Sequence, residues 1–302
     1  MRKVLSVALL VGTGLGAPAC GGSTQAGGHL FIVGGGEQTP ELVTRFVELA
    51  GGPGRARIAV LPMASSEPDT SGAEKAAELR GLGAEVTVVI LTRAEAEDSA
   101  QVHRLDGMTG IWFTGGDQVP LARILRGTPV LAAMRQRLAA GAVIGGTSAG
   151  AAVMSDSMLT GNQRRPDSLG YYGDEFPEIA RGAIEVVPGL GFLPGTIVDQ
   201  HFIRRERANR LLAAVLERPS LIGVGIDEGT AVEVVPDGPW RVIGRSSVVV
   251  YDARRAGRSA PDAALGGTDI RLHVLPPGST FDPRAGRARL PAAGAAADPR
   301  SP

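Results

Sequence analysis

Short apolar runs alternate with amphipathic segments through the first half of the chain. The runs predict β-strands at 29–33, 57–63, 85–91, 110–114 and at the start of 142–150. The segments between them predict helices at 39–50, 72–80, 93–106, 118–126 and 129–140. Strands that alternate with helices predict an α/β fold, in which a mostly parallel sheet carries helices on both faces.

The second half of the chain has a less regular pattern. Residues 160–182 are polar and contain several glycines and prolines, and a loop of that length in a compact domain is usually a lid or a binding loop. The elements predicted after it are an apolar run at 190–198, a helix at 204–217, a strand at 221–226, and antiparallel strands at 231–235, 240–251 and 269–275. Residues 284–302 predict a disordered tail, so the folded domain is expected to span 29–283.

The N-terminus has the layout of a secretory signal peptide, with a basic start and an apolar run too short for a comfortable membrane span. The small residues before Cys20 resemble a bacterial lipoprotein cleavage box, although Ala17 stands where such boxes usually carry Leu. We therefore expect a signal peptide at 1–19, a lipidated Cys20 that attaches the protein to a membrane, and a flexible tether at 20–28. The expected location is periplasmic or outer-membrane-anchored; simple export to give a secreted protein, and no export, are the alternatives.

The composition narrows the classes of function. The chain has 302 residues with 43% hydrophobic and 4% aromatic residues, which suits one large α/β domain with an aliphatic core. Lys plus Arg equals Asp plus Glu at 31 each, so there is no overall field that would attract nucleic acid. Cys20 is the single cysteine, which excludes an intrachain disulfide.

The stretch 142–151, AVIGGTSAGA, is the strongest chemical signal in the sequence. An apolar run leads into glycines and then into small residues that favour a helix, and Gly146-x-Ser148-x-Gly150 has the form of a nucleophile elbow. Such a turn would expose Ser148 at the carboxyl end of the strand, above the positive end of the following helix. With 43 glycines in the chain, an ordinary Gly-rich turn is the alternative.

A nucleophilic Ser148 needs a base, and His201 is the best placed of the four histidines. It follows an apolar run, at the sheet edge where Ser148 is expected. The other three lie in less suitable stretches: His29, His103 and His273. The acid that would orient His201 is either Asp199, two residues away, or Glu228, at the end of the next strand, and the residues alone do not choose between them.

The oxyanion hole would consist of the backbone N–H groups of Ala149 and Gly116. The alternative for Gly115 and Gly116 is a tight turn without chemistry, and Asp117 then caps the following helix. Four arginines lie in the helical segment after His201: Arg204, Arg205, Arg207 and Arg210. One or two of them would bind a substrate carboxylate. The alternative is that all four form a solvated helical face. Three acids in the long loop would face a cationic substrate group: Asp174, Glu175 and Glu178.

Cofactor chemistry is not expected. No cysteine pair, His-Glu-x-x-His or acidic cluster at ligand spacing indicates a metal site. The glycines at 34–36 lack the spacing and the later acid of a dinucleotide-binding fingerprint.

Taken together, five stretches in order resemble the cyanophycinase family of serine peptidases, relatives of the aspartyl dipeptidases. They are 113–118 FTGGDQ, 145–151 GGTSAGA, 199–202 DQHF, 205–211 RERANRL and 225–231 GIDEGTA. The resemblance implies a flavodoxin-like three-layer sandwich related to the class I glutamine amidotransferases, with extra antiparallel strands toward the C-terminus. Glu206 and Asn209 depart from the glycines that are common between the family's arginines.

The resemblance also implies roles for individual residues. It maps a Ser–His–Glu triad onto Ser148, His201 and Glu228 and places Gly116 and Ala149 at the oxyanion hole. The residues that would shape the substrate pocket are Gln118, Asp199, Gln200, Arg205 and Arg207. The implied activity is that of an exported exopeptidase that releases β-Asp-Arg dipeptides from cyanophycin, multi-L-arginyl-poly-L-aspartate. An α- or β-aspartyl dipeptidase for small peptides and a non-catalytic ligand-binding lipoprotein on the same fold are the alternatives. A homodimer is the assembly considered, and the sequence does not specify the oligomeric state.

Overall fold

The computed structural model describes residues 27–163, 176 and 178–292. The expected signal peptide and Cys20 lie outside the described residues, as does most of the expected tether. The central part of the long polar loop, 164–175, also lies outside them. Among the helices of the described residues, none combines the length and the hydrophobicity that crossing a membrane requires.

Strands and helices alternate through the first half of the chain, as predicted. They are β1 (Leu30–Val33), α1 (Pro40–Leu49), β2 (Arg57–Leu61), α2 (Pro68–Gly81), β3 (Glu85–Val88), α3 (Arg93–Glu97), β4 (Gly110–Phe113), α4 (Gln118–Leu125), α5 (Pro129–Ala139), β5 (Val143–Thr147) and α6 (Ala149–Ala152). A 3₁₀ helix, Ser99–Leu105, follows α3. Threonine caps and first-turn prolines start two of the helices: Thr39 accepts from the Leu42 N–H before α1, and Thr128 accepts from the Leu131 N–H before α5.

The second half consists mainly of strands. They are β6 (Ser157–Gln163), β7 (Ile184–Pro188), β8 (Thr196–Gln200), β9 (Ile222–Ile226), β10 (Thr230–Val234), β11 (Trp240–Gly244), β12 (Val248–Asp252), β13 (Gly257–Arg258), β14 (Gly267–Thr268), β15 (Arg271–Leu275), β16 (Thr280–Asp282) and β17 (Arg287–Arg289). The one α-helix that the structure describes in this half is α7 (Ala208–Glu217), between β8 and β9.

Nine strands form the large sheet, in the order β17-β16-β11-β10-β1-β5-β4-β2-β3. The five strands from β1 to β3 in this order pair in parallel, and β10, β11, β16 and β17 extend the sheet by antiparallel pairing. Because parallel strands end at the same edge, the residues after β1, β4 and β5 meet there. The predicted α/β fold, with a mostly parallel central sheet and extra antiparallel strands, is confirmed.

Four strands form a second, smaller sheet, in the order β15-β12-β9-β8, with β8 and β9 parallel. One face of it packs with the large sheet and α6 through residues such as Val198 and Val224. Its other face packs against α7 through Ile197 and Leu211. On the far face of the large sheet, α1 and α2 bury a separate cluster around Phe46 and Trp112. The small sheet is therefore a layer between the large sheet and α7.

Several boundaries differ from the sequence prediction, among them the start of α7, which lies at Ala208 rather than near 204. The single strand expected at 240–251 is two strands, because Gly244 has a positive φ of 116° and the chain turns there from the large sheet into the small one. The tail expected from 284 contains β17, which pairs with β16. Helix α2 begins at Pro68 rather than near 72, because proline is well suited to the first turn of a helix.

Candidate active site

Ser148 lies in the turn between β5 and α6, at the carboxyl edge of the large sheet. Its φ of 53° and ψ of −110° are unusual for a residue with a side chain. The turn is tight: a methyl group on Gly146 would lie 2.6 Å from the carbonyl oxygen of Gly150. The glycines therefore allow the strand and the helix to approach closely, and the strained turn points the serine away from both.

Ser148, His201 and Glu228 form one hydrogen-bonded line. The Ser148 Oγ lies 2.8 Å from His201 Nε2, and His201 Nδ1 lies 2.6 Å from Glu228 Oε1. Ser148 follows β5 of the large sheet, whereas His201 directly follows β8 and Glu228 lies two residues after β9, both strands of the small sheet. A carboxylate on Nδ1 holds the imidazole so that Nε2 can accept a proton from the serine.

Three consecutive glycines after β1 make room for His201 and Glu228. The carbonyl of Gly34 accepts from the His201 N–H at 2.7 Å. A methyl group on Gly35 would lie 2.5 Å from His201 Nε2, and one on Gly36 would lie 2.7 Å from Glu228 Oε2. The spacing of these glycines excludes a dinucleotide-binding fingerprint but does not by itself connect them with His201. The signal that could have done so is a glycine run directly after a buried strand.

Burial lowers the pKa of His201 below its ordinary value of 6.5. The hydrogen bond with Glu228 opposes this change, and the positive charges of Arg205 and Arg207 add to it. The imidazole is therefore neutral at neutral pH, which is the form that can accept a proton.

The two residues expected to form the oxyanion hole, Gly116 and Ala149, are next in the chain to residues at the Ser148 turn. Ala149 is the first residue of α6, and Gly115 approaches so closely that a methyl group on it would lie 3.5 Å from the Ser148 Cβ. Gly116 has a φ of 134° and packs against the backbone of Ala64 and Ser65, so a side chain there would clash. Within the described residues, no backbone carbonyl accepts from the N–H of Gly116 or of Ala149.

The expected pocket residues are divided between the interior and the surface. Gln118 is buried and donates from Nε2 to the Leu159 carbonyl at 2.6 Å. Asp199 is fully buried and forms a two-point ion pair with Arg210, with a distance of 2.7 Å between Arg210 Nε and Asp199 Oδ2. Asp199 is therefore engaged with α7 and does not contact His201 Nδ1, where Glu228 lies.

Gln200 and Arg207 are also buried and contact each other. Arg207 donates to the main-chain and side-chain oxygens of Gln200, the former at 2.7 Å. Arg205, in contrast, is exposed and close enough to His201 to influence its pKa. Of the three loop acids, Glu178 is exposed, and Asp174 and Glu175 lie outside the described residues.

The other histidines lie elsewhere. His29 faces Glu233 at 3.5 Å, His103 is bonded to the carbonyl of Ala100, and His273 packs against Phe281. Within the described residues there is no group of three or more His, Cys, Asp or Glu side chains that could hold a metal ion.

The fold is of the mixed α/β class, and the contacts from Ser148 to His201 and from His201 to Glu228 have the order of a serine-hydrolase triad. Comparison with known families gives a narrower assignment. The model of peptidase family S51 matches residues 30–239, so the chain belongs to this family and is a serine peptidase. The resemblance drawn from the five sequence motifs is confirmed.

Similar curated proteins include several named cyanophycinases. The chain is 35% identical over 270 residues to that of Synechococcus elongatus, a match that covers 85% of this chain and 80% of the relative. It is 35% identical over 264 residues to that of Geminocystis herdmanii, covering 84% and 93%. It is 34% identical over 263 residues to that of Trichormus variabilis, covering 83% and 84%.

Two solved structures share the fold. One is a peptidase from an acI-B1 actinobacterium, with a TM-score of 0.60, 23% identity, and coverage of 82% of this chain and 97% of that one. The other is a putative peptidase E from Listeria monocytogenes, with a TM-score of 0.51, 17% identity, and coverage of 73% and 100%.

Proposed function

We propose that this peptidase is an exopeptidase that hydrolyses cyanophycin to β-Asp-Arg dipeptides, with Ser148, His201 and Glu228 as its catalytic triad. The observation that supports the mechanism is a pair of hydrogen-bond contacts, one between Ser148 Oγ and His201 Nε2 and the other between His201 Nδ1 and Glu228 Oε1. The choice of substrate is supported by identities of 34–35% to cyanophycinases over most of the chain.

In the proposed reaction, Ser148 Oγ attacks the scissile carbonyl while His201 Nε2 takes the hydroxyl proton. The N–H groups of Gly116 and Ala149 stabilise the oxyanion of the tetrahedral intermediate. His201 then gives its proton to the leaving amine, and an ester with Ser148 remains. A water molecule attacks this ester with His201 again as base, which releases the acid and restores the serine. Glu228 holds the imidazole in position throughout.

Arg205 is the residue best placed to bind a substrate carboxylate, such as the free carboxylate of an arginyl group on the polymer. It is exposed and lies near His201, whereas Arg207 and Arg210 are buried against Gln200 and Asp199. Loss of a charge-assisted hydrogen bond costs about 1.5–3 kcal/mol, so Arg205→Ala is expected to raise KM by roughly 10–100-fold. Arg204→Ala, at an exposed neighbouring position, is the matched control.

The test is to incubate the purified protein with cyanophycin and to measure soluble β-Asp-Arg dipeptide. Ser148→Ala is expected to remain folded and to lower kcat by a factor of at least about 10⁴. Equal release by Ser148→Ala and wild type would contradict the mechanism. Cleavage of small α- or β-aspartyl dipeptides without release from the polymer would contradict the choice of substrate and move the proposal to an aspartyl dipeptidase.

We also propose that the protein is exported and lipidated on Cys20. The support is the sequence pattern alone, a basic start, an apolar run and small residues before the cysteine. Mass spectrometry of the protein from membrane fractions would show a diacylglyceryl addition at the N-terminus, and Cys20→Ser would abolish it. An unmodified N-terminus, or an intact Met1, would contradict lipidation.

A further inference from the structure

The turn that carries His201 has a strained backbone. His201 has a φ of 49° and Glu206 a φ of 51°, both in the left-handed region that non-glycine residues rarely adopt. Such conformations cost about 1–3 kcal/mol each and persist only where the surroundings hold them. The turn must therefore be fixed by contacts outside itself if the imidazole is to stay 2.8 Å from Ser148 Oγ.

Asp227, the residue before Glu228, makes such contacts. Its Oδ1 accepts from two successive backbone N–H groups of the turn, Ile203 at 3.1 Å and Arg204 at 2.9 Å. Its Oδ2 accepts from the Ser246 hydroxyl at 2.7 Å. The side chain is buried, with 7% of its surface exposed, so these bonds form with little competition from water.

Asp227 joins three segments of the chain through its side chain. One is the turn after β8 that carries His201, the second is the end of β9 that carries Glu228, and the third is the turn between β11 and β12 that carries Ser246. Main-chain bonds also anchor the His201 turn, from the His201 N–H to the Gly34 carbonyl and from the Phe202 N–H to the Ile226 carbonyl at 3.2 Å. Asp227 is thus a side chain that fixes the turn relative to Glu228.

We propose that Asp227 is a positioning residue that holds the strained His201 turn in register with Glu228 and Ser148 through its hydrogen bonds to Ile203, Arg204 and Ser246. This inference rests on the proposed triad. Asp227 does not touch the reacting atoms, and it acts through the backbone that carries the imidazole. Ile203 and Arg204 are exposed residues, so water can reach their N–H groups once the buried carboxylate is removed. The expected consequence is a loose turn in a folded protein.

The test compares two substitutions in the full-length protein. Asp227→Ala removes all three bonds, and a misplacement of about 1 Å at the reacting groups costs about 10²-fold, so kcat is expected to fall by 10–100-fold with KM little changed. Asp227→Asn keeps an oxygen for the two N–H groups, and its amide can donate to the Ser246 oxygen. It is expected to restore kcat to within about threefold of wild type.

Asp252→Ala is the matched control. Asp252 is equally buried at 6% exposure, accepts from the Arg254 N–H at 3.1 Å, and lies at the opposite end of the same pair of strands. It is expected to lower the melting temperature about as much as Asp227→Ala while kcat is unchanged. The rate at which a serine-reactive phosphonate labels Ser148 gives a second measurement that does not depend on the choice of substrate.

The inference is supported if Asp227→Ala alone loses kcat and labelling rate and Asp227→Asn recovers both. It is overturned if Asp227→Ala has the same kcat and the same phosphonate labelling rate as Asp252→Ala. It is also overturned if kcat of Asp227→Asn is as low as that of Asp227→Ala. Wild-type protein that is labelled but does not cleave cyanophycin would overturn the proposed substrate and leave the labelling comparison intact. Wild-type protein that is not labelled at Ser148 would overturn the triad and this inference together.

Discussion

A methyl group on Gly35 is expected to disable the peptidase while the fold survives. A Cβ at this position would lie 2.5 Å from His201 Nε2 and 3.0 Å from Nδ1. Since ordinary contacts between carbon and nitrogen are about 3.5 Å, the ring must retreat by about 1 Å. The distance of 2.8 Å between Ser148 Oγ and His201 Nε2 would then exceed the range of a good hydrogen bond. A displacement of this size costs about 10²-fold in kcat.

The same substitution also strains the backbone, because Gly35 has a φ of 111°. Gly141→Ala is the control for this effect, since Gly141 has a φ of 100° and a methyl group there would meet no atom within 4 Å. Both variants should lose about 1–3 kcal/mol of unfolding free energy in urea. Only Gly35→Ala should lose kcat and the rate of phosphonate labelling. Equal kcat in the two variants, with the folded fraction accounted for, would refute the steric reasoning.

The remaining predictions concern pH and stability. Because burial lowers the pKa of His201, the acid limb of kcat/KM should have its midpoint below 6.5, and Arg205→Ala should move it upward by removing a positive charge. Arg210→Met should destabilise the protein by about 3–5 kcal/mol in urea unfolding, because it leaves Asp199 buried without its partner, and Asp199→Asn in the same chain should recover part of this loss. Burial alone would raise the pKa of Glu233, but the nearby His29 and the ion pair with Arg45 outweigh it and lower this pKa to about 2. Ionised Glu233 therefore contributes stability above pH 4.5, its ordinary pKa, and this stability is lost as the pH falls toward 2. In Glu233→Gln that contribution of up to about 3 kcal/mol should be absent. The free energy of unfolding of this variant should be lower at neutral pH and should fall less steeply as the pH is lowered, which urea unfolding at several pH values would measure.

The first half of the fold could be predicted because its signals are local. Apolar runs, threonine caps and first-turn prolines mark where each strand and helix begins, and the glycines around Ser148 mark a turn too tight for side chains. These signals act over a few residues, so the sequence alone is sufficient to place them.

The assignment of β8 and β9 to a second sheet could not be predicted in this way. The apolar runs at 190–198 and 221–226 resemble the strands of the large sheet, and nothing in a single run specifies its pairing partner. Spacing likewise left Asp199 and Glu228 as equal candidates for the partner of His201. The choice depends on Arg210, which is eleven residues from Asp199 in the chain but pairs with it across the packing of α7 on the small sheet. Asp227 was missed for the same reason, since its role depends on a turn and a loop distant in sequence.

In the proposed mechanism Ser148 and His201 act together from two different sheets, so enzymatic activity would depend on how the two layers are aligned. A sub-ångström slip of the small sheet against the large one would leave every secondary structure element intact, and circular dichroism would not detect it. The contact between Ser148 Oγ and His201 Nε2 crosses the junction between the layers, so it would be among the first to be lost. On gradual heating the protein should therefore lose activity at a temperature below its melting temperature. The interval between these two temperatures would measure the stability of the packing between the two sheets.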